Sequence, residues 1–367
     1  MPYSSPVDVA FSPDGKTVAF TWLDAIYLGT PLIEGIAAGV MPETCYGQWS
    51  SAWTTGFPSG VRVDGGVATP GKSDQDIQGK SYPPMFSPDS RYAAFATYSR
   101  IVVVQPRDSG IVLRIEPPAK DEKIVGLTWS AGSELLYATG MPRGARTFWR
   151  CDASAPGAQP RQMRHVVFPS APLPLQEFAG GISWSPSGRW AVLTVQDPPK
   201  ATSAPKVADI AYHSVLLDLE TGKDIDFTSE ETLGVVVWKD DTEAICEQYG
   251  PGADDTHDHV MRMLHAPSGE FTPLPPKPAE DFRKLSQVMG FDWYTRWSPM
   301  PSRPGWLIAA DPDDHNIYAV YPKTRTKIKL NDAPTMAYAI SADGRKLAHV
   351  NAFKKLTVQE IVLPQKP

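Results

Sequence analysis

Short apolar runs of alternating period dominate the chain, and a turn signal cuts each one off within a few residues. Val7, Val9 and Phe11 alternate along one such run, Pro13-Asp14-Gly15 follows, and Thr17-Val18-Ala19-Phe20 resumes the apolar pattern. A period of two places successive side chains on opposite faces and reads as a strand. Between the runs, Pro presets φ, Asp bonds its own backbone and Gly accepts positive φ, which is hairpin chemistry. No segment longer than a few turns holds a 3.6-residue apolar period. Glu280 to Met289 is the best candidate for a short helix, and it falls between repeats. Parallel α/β folds, which need helices between strands, are set aside on that ground.

The strand–turn–strand unit recurs. Phe11-Ser12-Pro13-Asp14-Gly15 returns as Phe86-Ser87-Pro88-Asp89-Ser90 and as Trp184-Ser185-Pro186-Ser187-Gly188. Weaker copies begin at Trp129, Trp238, Trp297 and Ile340. Seven copies spaced about 40 to 60 residues apart match blade-sized repeats. The exception is the stretch from Phe11 to Phe86, which implies an insertion. A third run and often a second turn follow, as in Val215-Leu216-Leu217-Asp218-Leu219-Glu220-Thr221-Gly222. Four antiparallel strands make one propeller blade. The expected fold is therefore all-β: a seven-bladed β-propeller of four-stranded antiparallel blades, one domain over 1–367 with a long inserted loop at about 41–82. Ser90 stands where the other strong copies have Gly, so its turn should be strained or of another type. Blade seven offers only three runs. Its outer strand comes from residues near Met1, or closure rests on side-chain packing alone.

Composition narrows the partners. The 37 prolines are about twice the usual share of roughly 5% and, with 11 tryptophans, suit many short strands and turns. Thirty-five Lys and Arg stand against 41 Asp and Glu, a net charge of −6. On this reading no stretch is dominated by Lys and Arg, so neither a nucleic acid nor an anionic membrane surface is expected as partner. No apolar run nears the roughly 20 residues needed to span a bilayer. The residues after Met1 lack the charged and apolar regions of a signal peptide, which gives a cytoplasmic expectation. Cys45, Cys151 and Cys246 are scattered and read as buried free thiols.

The string of apolar residue, Ser-Pro-Asp-Gly, charged residue and short strand resembles the TolB-like propeller repeat, which also builds the propeller of the prolyl oligopeptidase family. Likeness to the Trp-Asp repeat propellers is more distant, because their Trp-Asp and Gly-His dipeptides are absent. The resemblance covers nearly the whole chain and implies a fold rather than an activity. The Gly-x-Ser-x-Gly elbow of the associated hydrolase domain is missing. Asp14 directly precedes Gly15, which is the wrong spacing for a sialidase-type Asp box.

In a four-stranded blade the a–b and c–d turns share one side, and the b–c turns and blade-to-blade links share the other. The Ser-Pro-Asp-Gly turns are short. The long connections, read as Met41 to Tyr82, Gln159 to Gly180, Asp197 to Tyr212, Gly250 to His259 and Thr272 to Asp292, fall on the second side, which is the expected binding face. Its candidate residues are Tyr46, Trp49 and Trp53, suited to a protein or carbohydrate contact or to pinning the insertion down. Arg143 and Arg146 could clamp a carboxylate or phosphate, or stand solvated. Asp254, Asp255, His257 and His259 form the one cluster of potential metal ligands. Completing a divalent site would take further ligands such as Asp311, Asp313, Asp314 or His315. His165, His213 and His349 lie in strand-like runs and read as structural.

No nucleophile–base–acid constellation can be assembled. The leading expectation is a non-catalytic module binding a protein or peptide, without a cofactor. The alternatives are a small-molecule hydrolase or lyase with a divalent metal, and a carbohydrate-binding propeller.

Overall fold

In the computed structural model the described residues are 9–22, 25–31, 39–40, 47–49, 63–64, 84–97, 99–105, 111–140, 144–155, 157–168, 182–196, 212–227, 232–249, 260–273, 288–290, 296–311, 313–331, 334–351 and 355–364. They form seven antiparallel sheets in chain order, the all-β fold class of a seven-bladed β-propeller. Blade two holds Met85–Phe86, Ala93–Thr97, Arg100–Val104 and Ile111–Ile115. Blade three holds Lys123–Trp129, Leu135–Gly140, Ala145–Cys151 and Arg161–Val167, and blade four Ser183–Trp184, Trp190–Gln196, Tyr212–Asp218 and Asp224–Asp226. Blade five runs Thr232–Trp238, Glu243–Tyr249, Val260–His265 and Glu270–Pro273, and blade six Arg296–Pro299, Leu307–Ala310, Ile317–Tyr321 and Thr326–Lys329. In each of these five blades the strands pair in sequence order, here lettered a to d.

Blade one is completed from the insertion and blade seven from the two residues just before it. Blade one pairs Val9–Phe11, Val18–Trp22 and Ala25–Pro31, and its outer place is shared by Gly47–Trp49 and Val63–Asp64. Blade seven pairs Thr335–Ile340, Lys346–Asn351 and Lys355–Glu360, and its fourth strand is Gly39–Val40. Neither closure expected from sequence is the one found: the fourth strand is supplied from some forty residues into the chain, not by residues near Met1 and not by side-chain packing alone. The stretch 41–82 is thus not a loop throughout, and Gln159 to Gly180 contains the outer strand of blade three. Outer strands are short or strongly polar, so they carry little periodic signal. Of the expected helix, Val288 and Met289 are helical, and 280–287 lie outside the described residues.

The chain divides into two compact units. One comprises Met1–Thr97, Val102–Arg114 and Pro276–Pro367; the other comprises Tyr98–Ile101 and Ile115–Pro275. Within the second unit, blade four shows why its strands read as continuous apolar runs. Val215 and Leu217 pack with Leu136, Phe148 and Trp184, whereas Leu216 packs with Leu233, Ala244, Cys246 and Leu264. Alternate residues serve opposite faces, and both faces are buried. In the first unit Trp306, Ile308 and Ile317 of blade six pack against Leu347, Ile361 and Leu363.

The repeated motif is one turn built from the same bonds each time. Ser12 Oγ donates to Asp14 Oδ1 at 2.6 Å and accepts from Thr17 N at 2.9 Å, while Gly15 N donates to Ser12 O at 2.8 Å. Ser87 with Asp89 and Ser341 with Asp343 repeat the Ser–Asp bond at 2.6 Å. All three serines are buried, so the hydroxyl satisfies backbone groups that water cannot reach. Ser90 keeps the same turn with φ 60° and its N–H on Ser87 O at 2.9 Å. Of the two outcomes expected for a non-glycine there, the strained one is found.

Cys151 and Cys246 are buried free thiols, as expected, and Cys45 lies outside the described residues. Burial pushes the Cys246 thiol up to about 12, and burial with the nearby Asp152 and Glu134 charges pushes Cys151 to about 11. The thiolate is the reactive form. In a Cys45→Ser variant, neither thiol should be labelled by a maleimide at pH 8 while the protein is folded. Both should react in denaturant, and labelling of the native variant within minutes would contradict their burial.

Candidate functional site

The a–b turns are fastened to one another within each unit. In the second unit Ala131 N donates to Pro186 O at 2.7 Å, and Ser187 N donates to Asp241 Oδ1 at 2.8 Å. In the first, Ser302 Oγ donates to Ala342 O at 3.1 Å, Lys346 Nζ to Gly15 O at 3.1 Å, and Asp14 N to Ser90 Oγ at 3.1 Å. The repeat that makes the chain recognisable is therefore a structural fastener, which leaves little of that side for recognition.

In the second unit the long connections leave from the opposite strand ends. Residues 169–181 link blade three to blade four, 197–211 join strands b and c of blade four, and 250–259 join strands b and c of blade five. Asp254, Asp255, His257 and His259 lie in the last of these, outside the described residues. Arg143, Tyr46 and Trp53 also lie outside the described residues. Trp49 ends the first half of blade one's outer strand, opposite Gly29. Main-chain pairing thus anchors this part of the insertion.

Arg146 opens strand c of blade three, opposite Gly140. Its guanidinium lies over that glycine, where an added Cβ would come within 2.8 Å of Nη1, and Nη1 donates to Ala145 O at 2.9 Å. The side chain is laid along the strand end. His165 bonds Thr147 across strands c and d at 2.8 Å and is exposed, while His349 is fully buried in blade seven. Both serve the sheets, as expected.

The b–c turn of blade six is the best-defined candidate. Asp313 N donates to Asp311 Oδ1 at 3.1 Å, Asn316 N to Asp314 Oδ1 at 2.8 Å, and Tyr318 Oη to Asp314 Oδ2 at 2.5 Å. Asn331 braces the turn from behind, accepting from Ile317 N at 2.8 Å and donating to Asn316 Oδ1 at 3.1 Å and Thr335 Oγ1 at 3.0 Å. Asp313 and His315 stand exposed on this braced turn, His315 at φ 55°. Burial raises the Asp311 carboxyl, with the Asp314 and Asp313 charges adding to the effect. Burial acts the same way on Asp314, but the bonds from Tyr318 and Asn316 outweigh it and its value falls. Burial and the Asp314 charge push the Tyr318 hydroxyl up to about 12. Among the described residues no group of three His, Cys, Asp or Glu side chains is placed to hold a metal ion.

Sequence reasoning passed over one charged element. Lys323-Thr324-Arg325-Thr326-Lys327-Ile328-Lys329 carries four cations in seven residues, all four exposed, on the turn and outer strand of blade six. The overall acidity of the chain masks it, and only a window of strand length shows it.

Among the described residues no helix is long and apolar enough to cross a membrane. No family model matches the chain, and no curated protein matches it in sequence. Among solved structures it is similar to a chain of "Crystal Structure of Mitotic Checkpoint Complex", with 11% identity over 98% of this chain and 93% of that one, at a TM-score of 0.47. It is also similar to the Cps50 (Swd1) β-propeller domain of Myceliophteria thermophila, with 11% identity over 99% of this chain and 100% of that one, at a TM-score of 0.46. At such identity and TM-score, no functional property passes from either to this chain.

Proposed function

We propose that the protein is a non-catalytic interaction module that presents long connections to a protein or peptide partner. One observation carries the reading. In the second unit, short turns tied to one another occupy one set of strand ends, and 169–181, 197–211 and 250–259 all leave from the other. A rigid scaffold with its long loops at one set of strand ends is the usual arrangement for recognition. The turn chemistry also supports kinship with TolB-like propellers, because the Ser-Pro-Asp-Gly string works as a unit in blade one and, with Ala342 in place of Pro, in blade seven and, with Ser90 in place of Gly, in blade two.

Affinity capture from lysate with a variant in which 197–211 and 250–259 are each replaced by Gly-Ser linkers tests it. Partners held by the intact protein should be lost at unchanged melting temperature. Retention of every partner would show that recognition lies elsewhere. The runner-up, a divalent-metal enzyme, rests on His257 and His259. It predicts stoichiometric metal in the purified protein that disappears in a His257→Ala/His259→Ala variant.

A further inference from the structure

We propose that Thr272 is a covalent acyl-acceptor site, taking an apolar acyl group from a thioester, with His265 as its base and Glu243 positioning that base. No motif marks these residues in the sequence, because cross-strand pairing in blade five brings them together. Glu243 of strand b pairs with His265 of strand c, and Thr272 of strand d pairs with Met263, two residues before His265. Thr272 is therefore the diagonal neighbour of His265, within side-chain reach on a pleated sheet. His265 Nε2 lies 3.1 Å from Thr272 Oγ1, and His265 Nδ1 lies 3.6 Å from Glu243 Oε1. The second separation is long for a hydrogen bond, as catalytic contacts often are before a substrate closes them. A carboxylate only accepts, so Glu243 favours the imidazole with its proton on Nδ1, which leaves the Nε2 lone pair to the hydroxyl. Lys239 Nζ donates to the other carboxylate oxygen, Oε2, at 2.6 Å and leaves Oε1 to His265. A hydroxyl bonded to an imidazole that a carboxylate orients is the arrangement that activates a nucleophile.

The surface around these groups sets the class of acyl chain. Ala244, Cys246 and Leu264 pack on blade four with Trp190, Val192 and Leu216. Alternate residues point the other way, so Glu243, Ile245, Met263, His265 and Thr272 share the opposite face of the sheet. On that face Met263 stands between Ile245 and Thr272, and both apolar residues are only half-buried. Thr272 itself is exposed. A chain laid over Met263 and Ile245 covers apolar surface and brings its carbonyl to the Thr272 hydroxyl. Oγ1 then attacks the carbonyl carbon of the thioester, and its proton passes to His265 Nε2. The carbon–sulfur bond breaks, and the departing sulfur takes that proton and leaves as a free thiol. The product is an ester on Thr272, a stoichiometric modification of the chain that does not use the long connections.

Mass spectrometry of the full chain tests the proposal, with S-octanoyl-N-acetylcysteamine as the probe and Cys45→Ser as the background that keeps an extra thiol out of the reaction. Peptide mapping should place an octanoyl group on Thr272, as an ester that survives neutral hydroxylamine. A Thr272→Val variant should take up none at that position. His265→Ala should slow acylation of Thr272 roughly a hundredfold or more at nearly unchanged melting temperature. Glu243→Gln should lower the limiting rate roughly tenfold or more and leave the half-saturating thioester concentration unchanged, a split that loss of a merely structural contact would not produce. The S-acetyl form of the probe should react roughly tenfold more slowly at equal concentration. An unmodified Thr272 in the folded protein, or equal rates with and without the His265 imidazole, would overturn the acceptor site. Equal rates for the octanoyl and acetyl probes would overturn the apolar class, since Met263 and Ile245 would then hold no chain.

Discussion

Gly344→Ala is expected to lower stability by roughly 3–5 kcal/mol, against about 1 kcal/mol for the same change at Gly15. Both glycines occupy the last position of a Ser-x-Asp-Gly turn, and both have φ 66°. Any L-residue pays the left-handed cost at either site. What separates them is the space beyond. A Cβ at Gly344 would fall inside contact distance of the Pro301 carbonyl oxygen, a main-chain atom of blade six that cannot move without shifting its turn. At Gly15 the nearest atom is Ser341 Cβ at 3.9 Å, an ordinary contact. Gly188 supplies an intermediate case, since its Cβ would meet the Leu136 side chain, which is fully buried and has little room to swing away. Guanidinium midpoints at constant m-value should order the three variants Gly344, Gly188, Gly15, the first most damaged. Equal loss at Gly15 and Gly344 would show that backbone conformation alone accounts for these positions, and that the close approach of neighbouring turns contributes nothing.

The same three glycines show how much of the fold is legible in the amino-acid order. Their turn chemistry is local, so it is written plainly: a Ser that can bond within five residues, an Asp (Ser187 before Gly188) that caps the turn, a Gly that bends. That was enough to count seven blades and to find the inner strands. The outer strands escaped because little packs against them. Asp224–Asp226 and Thr326–Lys329 present an intermediate residue between two exposed ones, and Gly47–Trp49 and Gly39–Val40 complete sheets far from their own turns. The site is less legible still. Asp313 and His315 look like a solvated tip in sequence, and only the structure shows the Asn331 bracing behind them. Most of the remaining candidates, among them Tyr46, Arg143 and His257, lie outside the described residues. The four exposed cations of Lys323 to Lys329 were visible in composition only at the scale of one strand.

Electrostatic fastening within blade four supplies the second large effect. Asp218 closes strand c, and its side chain is only 3% exposed. It accepts from Glu220 N at 3.0 Å and Thr221 N at 3.1 Å, and Arg189 Nη2 meets it at 2.8 Å. Burial by itself would raise this carboxyl, but the Arg189 bond and the two backbone N–H groups outweigh it and hold the value at about 2. The folded state therefore favours the ionised form relative to an unfolded Asp near 3.9. Its contribution, roughly 2 kcal/mol, is fully present above about pH 5 and fades as pH falls through the range from 4 to 2. Asp218→Asn keeps the shape and removes the charge. It should cost roughly 2 kcal/mol at pH 7, with the gap to wild type closing as the pH approaches 2. Urea unfolding of both proteins across that range is the measurement. A gap that stays constant with pH would mean that packing and neutral hydrogen bonds hold this turn, and that the Asp218 charge adds nothing to it.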